Sequence, residues 1–246
     1  MAGRGSLQGR ADSADIAVAG WVPLSMLDWE GRLATTVFVA GCNFSCPFCH
    51  NPELVAAAKH PATIPFSRLE EHFRTKAGWL DGVVVSGGEP TTYEALPQLL
   101  LWLKGLGVEV KLDTNGSRPE VLGRLIESGL VDCVAMDVKT AFERYGEVAR
   151  RPVSVEAIER SIELIVSSGL EHEFRTTMVP GYVDRDDAVA IAERLKGARR
   201  YALQQFNPKV VLDPAARLIE PYSRGYLEDA SAACDSKVPT IIRGVK

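Results

Sequence analysis

No stretch of this sequence approaches the roughly 20 consecutive apolar residues that a helix needs to cross a bilayer. The first fifteen residues, MAGRGSLQGRADSAD, lack the apolar core of a secretory signal. A basic excess is missing as well: 28 Lys and Arg stand against 32 Asp and Glu, a net charge of −4, which leaves no stripe for a phosphate backbone. Membrane and nucleic acid are therefore not expected as partners, and the chain is read as cytoplasmic. In that reducing setting its five cysteines are expected to bind metal or do chemistry rather than pair as disulfides. Also absent are an internal repeat, a low-complexity segment and a linker, so one domain is expected. His60, His72 and His172 stand singly, and no Ser-His-Asp or paired-carboxylate arrangement offers itself.

What is present is an alternation. Residues 1–15 have no apolar period and are expected to form a disordered tail. Short β-branched runs at 35–40, 82–86, 108–113, 132–137, 171–179 and 200–205 read as strands. Amphipathic segments at 68–77, 94–104, 119–128, 154–168 and 186–196 read as the helices between them. This pattern predicts an α/β fold with mostly parallel strands, curled into a partial (β/α)6 barrel of the TIM type over residues 34–208. Residues 16–33 read as an N-terminal hairpin turning at 28–31, and 209–246 as a C-terminal extension ending in a helix and a short strand. Period-2 reading puts Glu109, Lys111, Asp113 and Asn115 on one face of the third strand and Glu173, Arg175 and Thr177 on one face of the fifth. Helices cover the apolar faces, so these polar faces should line a lumen that holds a polar ligand. The plainer alternative is that the charges pair with one another.

The chemistry concentrates in GCNFSCPFCHNPEL, residues 41–54, where Cys42, Cys46 and Cys49 follow CxxxCxxC spacing. Three thiolates on one tight loop suit a soft metal or a cluster. Structural zinc wants four protein ligands; His50 abuts Cys49 and cannot easily share its ion. Cys133 and Cys234 read as small buried hydrophobes. A [4Fe-4S] cluster held by three cysteines, with one iron open, accounts for the count.

At these residues the chain resembles the radical S-adenosylmethionine (SAM) superfamily, and four further segments match in order: Gly87-Gly88-Glu89-Pro90, Asp113-Thr114-Asn115-Gly116, Asp137-Val138-Lys139 and Arg175 to Gly181. Each falls at the C-terminal end of a predicted strand, where barrel enzymes place their sites. The span from about residue 20 to 208 is similar to activating proteins of anaerobic ribonucleoside-triphosphate reductase and, more distantly, to pyruvate formate-lyase activase. The resemblance implies that Cys42, Cys46 and Cys49 ligate one cluster, since residues 51–86 carry no cysteine for a second. It places Gly87, Gly88 and Glu89 at the amino end of SAM, and Arg175 and Lys139 near its carboxylate. Asp113 and Asn115 would meet the ribose or a nearby cation, Asp137 the same neighbourhood, and Phe48 and His50 the adenine. Asn207 stands where pyruvate formate-lyase activase has a SAM-holding histidine.

The implied reaction is reductive cleavage of SAM to a 5′-deoxyadenosyl radical, which takes hydrogen from a glycine of a partner enzyme. Anaerobic ribonucleotide reductase is the expected partner, and a flavodoxin- or ferredoxin-type protein the expected electron donor. An uncovered barrel mouth would admit a glycine loop, with the N-terminal hairpin and residues 221–246 expected at the docking rim. The alternatives are a radical SAM enzyme acting on a small molecule, in cofactor or modified-nucleoside synthesis, and a non-catalytic zinc-binding adaptor. The adaptor leaves the GGEP and DTNG segments unexplained.

Overall fold

The structure is a computed structural model that describes residues 16–56 and 63–245; the expected tail at 1–15 and His60 lie outside the described residues. Eight strands form one sheet in chain order: β1 (Val18–Ser25), β2 (Ala34–Val39), β3 (Gly82–Gly87), β4 (Glu109–Thr114), β5 (Cys133–Asp137), β6 (Glu171–Met178), β7 (Tyr201–Gln205) and β8 (Thr240–Arg243). β1 is antiparallel to β2 and all later neighbours are parallel. The sheet is open, because β1 and β8 do not pair.

The six expected strands are β2–β7. Between them run α1 (Pro52–Ala56), α2 (Phe66–Lys76), α3 (Leu96–Gly105), α4 (Pro119–Glu127), α5 (Tyr145–Ala149), α6 (Val155–Ser167) and α7 (Arg185–Arg194), with α8 (Arg224–Asp235) before β8. Strand order never reverses, so every right-handed crossover steps the same way and the helices gather on one face. The other face becomes the concave interior of a partial barrel. Apolar stripes explain the outer layer: α3 buries Leu96, Leu99, Leu100 and Leu103, and α6, capped by Ser154 accepting from the Ala157 amide, buries Ile158, Ile162 and Ile165. No helix of the described residues is long and apolar enough to cross a membrane.

The N-terminal hairpin departs from expectation. Its second arm is β2 itself, so its turn, residues 26–33, lies at the end of the barrel where β2 starts. Trp29, only 2% exposed, packs there against Ala34, Val84 and Cys133 and plugs the floor. The turn therefore lies opposite the strand C-termini and cannot contribute to a docking rim around them. Cys133 and Cys234 are both buried, as read.

Candidate functional site

The cysteine loop joins β2 to α1 at the C-terminal end of the sheet. Phe44 and Cys46 anchor it in the main core, while Cys42 and Cys49 are half-buried. The Gly41 amide donates to the Leu54 carbonyl at 2.7 Å, which closes the loop at its base. Asn43 ties it sideways, accepting from Asn115 Nδ2 at 2.9 Å and donating to Ser117 Oγ at 2.8 Å.

The GGEP turn after β3 presses backbone to backbone on this loop. The Gly88 amide donates to Val39 and the Glu89 amide to Gly41, each at 2.9 Å. A Cβ on Gly88 would stand 1.7 Å from the Gly41 oxygen, and one on Gly87, at φ 124°, would stand 2.3 Å from the Val39 oxygen. These glycines are required by the contact between two loops, whatever ligand lies beyond them. Glu89 turns away from the opening. Its Oε1 accepts from the Thr91 amide, the Thr91 hydroxyl and the Thr114 hydroxyl, and its Oε2 from the Asn115 amide at 2.7 Å. Burial raises its carboxyl pKa, and these four donors work against the rise.

Inside the barrel the charges form a chain. Arg175 Nε lies 2.8 Å from Asp137 Oδ1, and its Nη1 lies 3.2 Å from Asp113 Oδ2. Lys139 Nζ sits 2.9 Å from Asp137 Oδ2, and Lys111 Nζ 3.9 Å from Asp113 Oδ1. Burial alone would raise the Asp137 carboxyl, but Arg175 and Lys139 hold it below the ordinary carboxylate range. Burial likewise opposes the charge on Lys139, and Asp137 outweighs it, so the ammonium stays protonated. The plainer expectation is thus realised in part: the lumen charges do pair. The pairing is incomplete among the described residues, since Arg175 Nη2 makes no hydrogen bond and buried Asp113 Oδ1 accepts none.

All of these groups but Lys111 line one cavity of about 410 Å³, together with Asp28, Cys42, Cys46, Cys49, Phe48, His50, Gly87, Gly88 and Asn115. Glu89 and Asn207 are not among its lining. Asn207 is exposed, and its Oδ1 accepts the Lys209 amide at 3.1 Å; Gln204, an inward residue of β7, lines the cavity instead. Ser86 and Gln204 stand outside the matched segments and carry no motif signal, whereas Thr177, also in the lining, belongs to the Arg175 to Gly181 segment and to the polar face read for that strand. Phe48 is 4% exposed and rests on Tyr182, with ring centroids 5.6 Å apart, while His50 stacks on Phe206 at 6.5 Å.

The donor set fits an iron–sulfur cluster with SAM. Burial pushes the Cys42 thiol up to about 12 and that of Cys46 up to about 11. Such thiols become thiolates when a cation takes the place of the proton. Beside them the lumen offers a guanidinium nitrogen of Arg175 with no hydrogen bond among the described residues for a carboxylate, and Asp113 Oδ1 for a hydroxyl or cation.

Residues 36–195 match the family model described as Radical SAM superfamily. A provisionally named glycyl-radical enzyme activating enzyme of Methanocaldococcus jannaschii is 36% identical over 203 residues, 80% of this chain and 82% of that one. The pyruvate formate-lyase-activating enzyme of Streptococcus mutans is 28% identical, with 70% of each chain covered. Among solved structures, Streptococcus suis SuiB bound to S-adenosylmethionine shares the fold at TM-score 0.64 and 15% identity, over 82% of this chain and 48% of that one, so this chain spans about half its length. The chain belongs to the radical SAM superfamily and, within it, to the family of the glycyl-radical enzyme activating enzymes.

Proposed function

We propose that this protein uses SAM and a single [4Fe-4S] cluster to install a glycyl radical on a partner enzyme, with anaerobic ribonucleotide reductase as the partner and a flavodoxin- or ferredoxin-type protein as the electron source. The observation that carries the reading is one polar cavity with three cysteines on one wall and, on the other, a chain of paired charges that leaves Arg175 Nη2 and Asp113 Oδ1 without hydrogen-bond partners among the described residues. When bound, the two groups supply a carbon-centred radical able to take hydrogen from a glycine Cα.

The chain's own residues bind, orient and exclude. Cys42, Cys46 and Cys49 hold the cluster through their thiolates. The Gly87–Gly88 backbone shapes the wall that meets the amino end of SAM, and Arg175 and Lys139 neutralise its carboxylate. Asp113 and Asn115 meet ribose hydroxyls, with Asp137 keeping both cations aligned, while Phe48 and His50 flank the base. Asn115 also fixes the loop, because its side chain donates to Asn43. The plugged floor keeps water from entering from below, which a radical reaction requires.

The test is anaerobic. Protein reconstituted with iron and sulfide is reduced with dithionite and given SAM; 5′-deoxyadenosine is quantified and a glycyl radical sought by electron paramagnetic resonance, with and without an anaerobic reductase. Deoxyadenosine with a partner-dependent doublet is expected. Deoxyadenosine without the doublet would move the substrate to a small molecule or another partner, and neither signal from cluster-loaded protein would overturn the reading.

A further inference from the structure

The segment between β7 and α8 crosses the outside of the cysteine loop. Its Val211 and Ala216 are buried with Phe48, Val148, Val179 and Phe206, in a cluster apart from the main core. Its Asp213 amide donates to the Pro47 carbonyl at 2.9 Å, between Cys46 and Cys49. On the other side, the Ser45 amide donates to the carbonyl of Ala149, the last residue of α5, at 2.8 Å. The loop is thus held from behind by two unrelated pieces of chain.

One ion pair joins those pieces. Arg150 Nη2 lies 2.6 Å from Asp213 Oδ2. Arg150 caps α5 at φ 51°, the one non-glycine residue of positive φ among the described residues. Glycine is the usual occupant of such a cap, since a Cβ is disfavoured there. What glycine lacks is the side chain that reaches Asp213. Strain of this kind persists where the surroundings over-determine it, and it concentrates at functional sites.

We propose that Arg150 and Asp213 are positioning residues: their ion pair locks the β7–α8 segment against α5 across the back of the cysteine loop and so sets how tightly the cluster is kept. The inference rests on the reading of the three cysteines as cluster ligands. Side-chain exposures of 45% and 23% make the pair worth little to global stability. Its action is local, because both backbone bonds that the lock supports end within one residue of a ligating cysteine. Partners that orient metal ligands typically carry about 10- to 100-fold in metal retention.

The experiment compares full-length wild type, Arg150→Gly, Asp213→Asn, the double variant and Glu159→Gln, which breaks the remote Arg194–Glu159 pair. Each is reconstituted anaerobically, and loss of cluster absorbance is followed in excess ferrous chelator, alongside thermal unfolding of the cluster-free protein. The side-chain oxygen kept in Asp213→Asn can still cap the following turn, and glycine at 150 relieves the backbone, so neither change attacks the fold. Iron loss is expected to be about tenfold faster in each single variant, no faster again in the double, and unchanged in Glu159→Gln, with unfolding temperatures alike. Wild-type rates in both single variants, or rates that merely follow falling unfolding temperatures, would overturn the clamp. A wild-type protein that assembles no cluster would overturn the reading beneath it and the clamp together.

Discussion

An alanine at position 88 would force its Cβ to within 1.7 Å of the Gly41 oxygen and 2.4 Å of its carbon, and both are backbone atoms that cannot swing aside. The GGEP turn and the cysteine loop must then part. Because the two loops form adjoining walls of one cavity, Gly88→Ala is expected to lower deoxyadenosine formation about 100-fold while leaving secondary structure by circular dichroism intact. Activity within a fewfold of wild type would show that the loop contact does not set the site. Glu89, the next residue, does different work. Its carboxylate faces four donors and has no surface left for SAM. In Glu89→Gln an amide NH₂ must face at least one N–H or O–H, so stability by urea denaturation is expected to fall by about 2 kcal/mol. An unchanged midpoint with weakened SAM binding would return Glu89 to the ligand. The motif made both residues visible in the sequence, but only burial in three dimensions separates a wall from the brace behind it.

At the scale of elements, β2–β7 were legible to within a residue or two because they are runs of five to eight residues, too short for most helices, with apolar–polar alternation in β4 and β6 and nearly continuous apolar residues in β3 and β5. The five-residue helices α1 and α5 were not legible, since neither completes two turns of apolar pattern. The hairpin was misplaced for a similar reason. Its turn chemistry at 28–31 was correct, with Gly31 at φ 75°, but nothing local says that the returning arm is also the first barrel strand. Pairing between elements also determines a pH response. His172, at the start of β6, accepts the Arg199 amide on Nε2 at 3.1 Å and places Nδ1 2.9 Å from the Leu170 carbonyl, so the fold needs the neutral ring. Burial, aided by Arg199, lowers its pKa. A depressed folded-state value means that the contribution is fully present above the unfolded pKa near 6.5 and is lost as the pH falls. The urea midpoint is expected to drop between about pH 7 and pH 5, and to drop less in His172→Gln. Parallel pH curves for the two proteins would remove His172 as a cause.

Taken whole, the molecule is a barrel open along one seam and at one end, and its two ends are built oppositely. The strand C-termini carry the cavity; the strand N-termini are sealed by Trp29 and by charges that reach across the seam. Glu30, in the turn from β1 to β2, meets Arg200 Nη1, just before β7, at 2.6 Å and Arg243 Nη2, at the end of β8, at 3.6 Å. Glu173, in the middle of the floor and with its side chain 4% exposed, accepts from Arg243 Nη1 at 2.7 Å, while Arg200 Nε lies 3.4 Å from its other oxygen. Burial decides which bond matters. Glu30, at 67% side-chain exposure, is screened by water, so Glu30→Gln is expected to cost less than about 1 kcal/mol. Arg243→Met leaves the buried Glu173 charge with only the longer Arg200 contact, and is expected to cost on the order of 2–3 kcal/mol, short of a full orphan because Arg200 remains. The sign of the pH dependence follows from the pair. Burial by itself raises the Glu173 carboxyl pKa, and Arg243 with Lys111 brings it below the ordinary value. Its contribution therefore stands above that value and disappears under acid. Denaturant midpoints of wild type and Arg243→Met should differ at neutral pH and converge as the pH falls through the carboxylate range. A gap that stays constant into acid would mean that Arg243 closes the seam by packing alone, with no share from its charge.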